Sequence, residues 1–215
     1  MVVKSQTRAY RLGRRAESMR QTRRRIVRTA LRLFEQNGFH DVSLEELAID
    51  ARVSRATIYK HFDSKVDLLR AMQEELLGIG GGDRIRRARL HPDPRTALRG
   101  FLRENCRMFA VLRPGLRVAR AAAWTDKQAA RLASEFYYGE RRKAVAHLVD
   151  RLNREHGLAR GWTRRKAIQS LMALTNFEPF DSLTTEERLS PEAAAGVLYG
   201  LACAMLAPRP TRGAQ

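Results

Sequence analysis

Cysteine is nearly absent. Cys106 and Cys203 stand far apart, without the CxxC or Cys/His spacing that a metal site or redox motif needs. Both sit on apolar helical stretches and read as inert core residues, and no metal is expected. Long apolar runs are missing too. The longest uncharged stretch, residues 193–207, falls short of the roughly 20 residues that span a bilayer. No apolar segment follows Arg14-Arg15, so neither a Sec nor a twin-arginine signal is complete. A cytoplasmic location, away from any membrane, is the expectation. There is no Gly-rich phosphate loop, HExxH or nucleophile elbow, and His91, His147 and His156 are scattered. Neither an enzyme nor a cofactor is expected.

What is present is a chain of 215 residues, 44% apolar, which is enough for a hydrophobic core. Its net charge of +18 attracts polyanions, and nucleic acid is the natural partner. Arginine supplies most of it, 35 against 6 lysines, a skew that a GC-rich genome also produces. The charge is uneven. Residues 1–25 carry +8, residues 26–65 are neutral, and residues 84–120 carry +9. An acidic effector, a phosphate-tracking surface and compositional bias each account for the second basic segment.

Residues 1–19 lack apolar periodicity and read as a disordered basic arm. From Gln21 onward Ile26, Ala30, Leu33 and Phe34 form a helical stripe, ended by Asn37-Gly38. Ser43-Leu44-Glu45-Glu46 is a capping box, behind which Leu47, Ala48 and Ala51 form an apolar face. After a break at Arg52-Val53, Ser54 opens another short helix with Ile58 and Phe62 inward. A fourth helix carries Val66, Leu69, Met72 and Leu76, and four glycines in residues 78–82 predict a flexible break. The remainder is helical as well. Asp93-Pro94 opens a helix, Pro114-Gly115 interrupts it, and Thr125-Asp126 starts a long helix ending near Gly157. Thr163 and Ser190 cap the last two. The fold class is all-α, with domains at 20–78 and 84–207 and a disordered tail at 208–215.

Residues 43–62 are thus two short helices joined by a tight turn, a helix-turn-helix. The second lifts one face away from the protein, as reading a major groove requires. At 100° per residue, with Ile58 inward, Ala56 lies at about 160° and Lys60 at about 200°, flanked by Thr57 and Tyr59. Ser54 and Arg55 occupy the end that approaches base edges, and Arg55 can grip guanine O6 and N7. Thr57, Tyr59, Lys60 and His61 suit phosphates. Ser43 and Lys65, at or beside helix starts, are further candidate phosphate contacts.

The run from Val53 to Lys65, VSRATIYKHFDSK, resembles the signature of the tetracycline-repressor (TetR) family. Ala30, Leu33-Phe34, Gly38-Phe39, Ser43-Leu44, Leu47-Ala48 and Ala51 also fall where that family's first helices carry equivalents. The resemblance implies an all-α homodimer with a three-helix DNA-binding domain and a larger C-terminal helical domain for ligand binding and dimerisation. It implies DNA contacts at Arg55, Thr57, Tyr59, Lys60, His61 and Lys65. The family often has Gly in the turn where this chain has Arg52; a left-handed Arg costs on the order of 1 kcal/mol there, and Arg52 can reach phosphate instead. The dimer interface is implied at about 163–178 and 190–206.

Trp124, Phe136, Tyr137, Tyr138, Trp162, Phe177 and Phe180 read either as the lining of an effector cavity or as ordinary core packing. The function expected is a sequence-specific transcriptional regulator, a ligand-responsive repressor on a palindromic double-stranded operator with an unidentified small-molecule effector. The alternative is an orphan regulator or architectural DNA binder without an effector.

Overall fold

A computed structural model of the chain describes the backbone of residues 3–79 and 81–207, and the side chains of 14–75, 81–134 and 141–207. Among these residues the chain is helical, the one strand-like feature being an isolated bridge between Leu158 and Leu206. The helices are α1 Val3–Asn37, α2 Leu44–Asp50, α3 Arg55–His61, α4 Lys65–Ile79, α5 Gly82–Arg89, α6 Pro94–Thr125, α7 Lys127–His156, α8 Arg164–Leu174, α9 Phe177–Thr185 and α10 Pro191–Cys203. No described helix is long and apolar enough to cross a membrane.

The chain forms two compact units. The first holds residues 1–75 and 117–132; the second holds 76–116 and 133–215. This division departs from the boundary expected at the glycine-rich stretch, because Val118, Ala119, Ala122, Ala129 and Leu132 pack into the core of the first unit. There they join Ile26, Ala30, Phe34, Leu47, Ile58, Leu68 and Leu69. The second unit is centred on Leu98, Leu102, Leu148, Leu152, Leu171 and Phe180.

Most helix boundaries follow from local chemistry. Gly38, at φ +90°, ends α1 with its N–H donating to the Phe34 carbonyl (3.0 Å). Ser43, Ser54, Thr163 and Ser190 each accept from an N–H of the first turn that follows. Asp93 and Asp126 do the same for Thr96 and for Gln128 and Ala129.

Four expectations are corrected. The basic arm is not without regular structure in its backbone, since α1 begins at Val3; arginine, alanine and glutamine favour helix, and Glu17 pairs with Arg20 one turn on (2.7 Å). The side chains of residues 1–13 and the tail at 208–215 lie outside the described residues. Pro114 does not interrupt α6, which runs through it. The ring removes one helix hydrogen bond, and burial of Phe109 and Leu112 before it and of Leu116, Val118 and Ala119 after it offsets that loss. The four glycines do not open a long break: α4 continues to Ile79 and α5 restarts at Gly82, after Gly81 at φ +79°. Finally, the helix expected over 163–178 stops at Leu174. Pro179 cannot donate to the Thr175 carbonyl, so the chain restarts as α9 with the proline in its first turn, where an N–H is dispensable. Asn105 Nδ2 donates to that buried carbonyl instead (3.0 Å).

Candidate nucleic-acid interface

The first unit holds α2 and α3 against α1 and α4 by small and apolar contacts. Ile58 is fully buried and Phe62 nearly so, while Ala48 and Ala51 give α3 room to approach α2. With that side anchored, the opposite side of α3 stands in solvent. Arg55, Ala56, Tyr59 and Lys60 are exposed, and Thr57 is half-buried with its hydroxyl 2.8 Å from Ser54 Oγ. The surface expected to face a groove is free of the protein.

The turn before α3 adopts the strained conformation that the sequence raised. Arg52 has φ +52°, in the left-handed region, and its N–H donates to the Ile49 carbonyl (3.0 Å). Its side chain is exposed. Ser43 and Ser54 are exposed caps whose oxygens already accept a backbone N–H; this leaves the Ser43 O–H as a donor, while the Ser54 hydroxyl also shares its hydrogen bond with Thr57 Oγ1.

Arg55 is not loose. Its Nη1 meets the Glu45 carboxylate across the motif, and Nη2 donates to the Tyr59 hydroxyl (3.3 Å). Its guanidinium carbon lies 5.5 Å from the centre of the Tyr59 ring. The Tyr59 hydrogen bond and the Glu45 charge hold the guanidinium even more firmly protonated than usual. His61 is half-buried; that burial, with the positive Lys60 and Arg23 nearby, depresses its pKa below the ordinary 6.5. Arg23, on α1, also lies 5.2 Å over the Phe62 ring, which places the root of the basic helix beside the end of α3.

Lys65 departs from expectation. Its ammonium donates to three backbone carbonyls of the α1–α2 loop: Phe39 (2.9 Å), His40 (3.0 Å) and Val42 (2.8 Å). It also sits 5.2 Å over the Phe39 ring. An ammonium has three hydrogens, and all three are engaged. Burial lowers its pKa, with Asp41 opposing. Lys65 therefore holds the loop that positions α2, with its ammonium hydrogens directed at that loop's carbonyls. The same loop is tied from the other side by His40 Nε2, which pairs with Thr125 Oγ1 at the end of α6.

The second unit offers less. Phe177 and Phe180 are buried against Phe109, at ring separations of 5.6 Å each, and so fill the core. Trp124, which belongs to the first unit, is 86% exposed. Trp162 is half-buried and borders a depression of about 360 Å³ with Lys166, Gln169 and Ser170. A second, of about 290 Å³, lies among Arg141, Arg142, Gln169, Met172 and Asn176. The side chains of Phe136, Tyr137 and Tyr138 lie outside the described residues. Much of the basic 84–120 segment is internally engaged. Arg84, Arg103 and Arg107 surround the buried Glu104 carboxylate at 3.4, 3.4 and 3.0 Å, and Arg113 meets Asp181 at 3.6 Å.

The profile of the family described as "Bacterial regulatory proteins, tetR family" matches residues 26–72. The chain is 38% identical over 87 residues to the HTH-type transcriptional regulator AcrR of Shigella flexneri, covering 40% of each chain. The matches to this relative and the next two cover about a fifth to two fifths of the relatives' own length. The fold is also that of the TetR family regulator PfmR from Thermus thermophilus, with a TM-score of 0.65 at 21% identity over 82% of this chain and 96% of that one. It likewise matches AibR, solved in complex with isovaleryl coenzyme A and operator DNA, with a TM-score of 0.64 at 20% identity over 86% and 99% of the two chains.

Proposed function

We propose that this chain, whose residues 26–72 match the tetR family of bacterial regulatory proteins, binds an operator sequence-specifically as a ligand-responsive repressor. The observation that carries the reading is the outward face of α3: Ile58 and Phe62 are buried while Arg55, Ala56, Tyr59 and Lys60 stand in solvent. Arg55 reads a base edge; Thr57, Tyr59, Lys60 and His61 meet phosphates, with Ser43, Arg52 and Ser54 at the flanks. Lys65 acts indirectly, by holding the loop before α2. The basic part of α1 follows the phosphate backbone beyond the groove that α3 enters.

The operator is palindromic because the protein works as a homodimer. One face of α10 supports this. Ala193, Gly196, Val197, Gly200, Leu201 and Ala204 are exposed, uncharged and spaced i, i+3, i+4, i+7, i+8, i+11. Among the described residues, nothing outside the helix's own backbone and the neighbouring residues lies within 4 Å of where a Cβ would stand on Gly196 or Gly200, so a partner helix can approach closely. A second copy covers this face, in a bundle with α8 and α9.

The effector is a small molecule received in the second unit; AibR, of the same fold, is known with isovaleryl coenzyme A. Release requires the ligand to prefer the state that cannot bind DNA, since equal affinity for both shifts nothing. The filling of the described core by Phe109, Phe177 and Phe180 favours a second reading, a regulator of the same operator without an effector. Protein and DNA meet in the cytoplasm. The test is enrichment of a random-sequence duplex pool on the full chain. An inverted repeat with half-sites about one helical turn apart supports the reading, and an unenriched pool rejects it.

A further inference from the structure

Glu45 is the second residue of α2 and has no capping duty there. The cap bond runs from the Glu46 N–H to Ser43 Oγ (3.1 Å). Its side chain, 52% exposed, instead reaches α3 and meets Arg55 Nη1. The guanidinium is then held at three points: the Glu45 carboxylate, the Tyr59 hydroxyl at 3.3 Å and the Tyr59 ring at 5.5 Å. Two of its five N–H donors are used, and the three that remain suffice for a two-bond grip on guanine.

A carboxylate on this surface repels every duplex, whatever its sequence, so it lowers affinity for DNA in general. An unrestrained arginine in the same place would take any phosphate oxygen in a forked contact and add affinity without discrimination. The carboxylate opposes both effects. It repels backbone that is not held by correct base contacts, and it spares the side chain the ordering cost when the right base is present. Both act in the same direction, on the ratio of specific to non-specific binding.

We propose that Glu45 is a specificity-determining positioning residue, which aims Arg55 at a base edge and withholds it from phosphate. The proposal rests on the reading of α3 as the element that enters the groove. Its test uses the full chain and its E45Q, R55A and doubly substituted forms, each enriching the same random-sequence duplex pool. E45Q is expected to recover the wild-type motif with one symmetry-related pair of positions flattened, R55A to flatten that same pair, and the double form to flatten nothing further. On a shuffled duplex E45Q binds at least as tightly as wild type, so its specific to non-specific ratio falls by about tenfold. Its thermal midpoint stays that of wild type, which separates aiming from folding. An unchanged motif, a uniform loss at all positions, or a ratio equal to or above wild type overturns the role of Glu45 while leaving the DNA reading intact. A wild-type chain that enriches no motif overturns both.

Discussion

Lys65 and His61 lie four residues apart and do different work. Lys65 has its ammonium filled by the carbonyls of Phe39, His40 and Val42. Lys65→Met leaves those carbonyls without their donor, and a loss of about 1–3 kcal/mol of stability is expected from chemical denaturation. The salt dependence of DNA binding should stay as in wild type; a flatter salt slope with unchanged stability would mean that Lys65 meets phosphate after all. His61 responds to pH. Its folded pKa lies below the 6.5 of the free side chain, so the unfolded chain takes the proton first. Stability is fully present above that value and falls as pH drops through it toward the folded one. Free protein should therefore lose more stability between pH 7 and 5.5 than His61→Gln does. A phosphate beside His61 reverses the preference, so DNA affinity should rise as pH falls, and equal pH profiles for the two proteins would exclude that contact. The left-handed turn at Arg52 was legible only through the family resemblance, which often has Gly where this chain has Arg52, and φ +52° agrees with it. The engagement of Lys65 was not, because its acceptors are backbone carbonyls some 25 positions away, which carry no residue signature.

At the scale of elements, boundaries were legible wherever a cap or a terminating glycine marked them: Gly38, Ser43, Ser54, Asp93, Thr163 and Ser190 all act as their types suggest. Prolines were harder. Pro114 reads locally as a breaker, but apolar packing on both sides carries α6 through it. Pro179 does break the helix, and its sign was in the sequence; Asn105, which takes the freed Thr175 carbonyl, comes from a distant helix and left none. A helix uncharged from Ala193 onward, as α10 is, needs cover nearly all round, and among the described residues it is buried on one side, at Ala194, Ala195, Leu198 and Ala202. The other side, including Leu201 at 56% exposure, is where the second copy is proposed. Leu201→Glu puts a charge into that contact. Sedimentation equilibrium should show monomer in place of dimer with helicity retained, whereas an unchanged mass would move the interface elsewhere.

Over the whole molecule, the charge of +18 divides into parts with different fates. In the second basic segment Arg84, Arg103 and Arg107 surround the buried Glu104, so part of that segment serves folding. Composition could not separate such pairs from a surface field, since the partners are brought together only by packing. The leading segment is another matter: Arg15, Arg20, Arg24 and Arg25 lie on the exposed part of α1 that leads to Arg23 beside Phe62. Removing residues 2–19 should flatten the slope of log K against log salt by about 0.9 for each phosphate that those residues neutralise, and an unchanged slope would place this segment away from the duplex.

Whether the exposed face of α3 reads sequence is decided most directly by equilibrium competition between an enriched inverted repeat and a shuffled duplex of the same composition, at one fixed near-physiological salt concentration. An affinity ratio on the order of 10³ or more is expected for a face that reads base edges. Equal affinity for the two duplexes would contradict it.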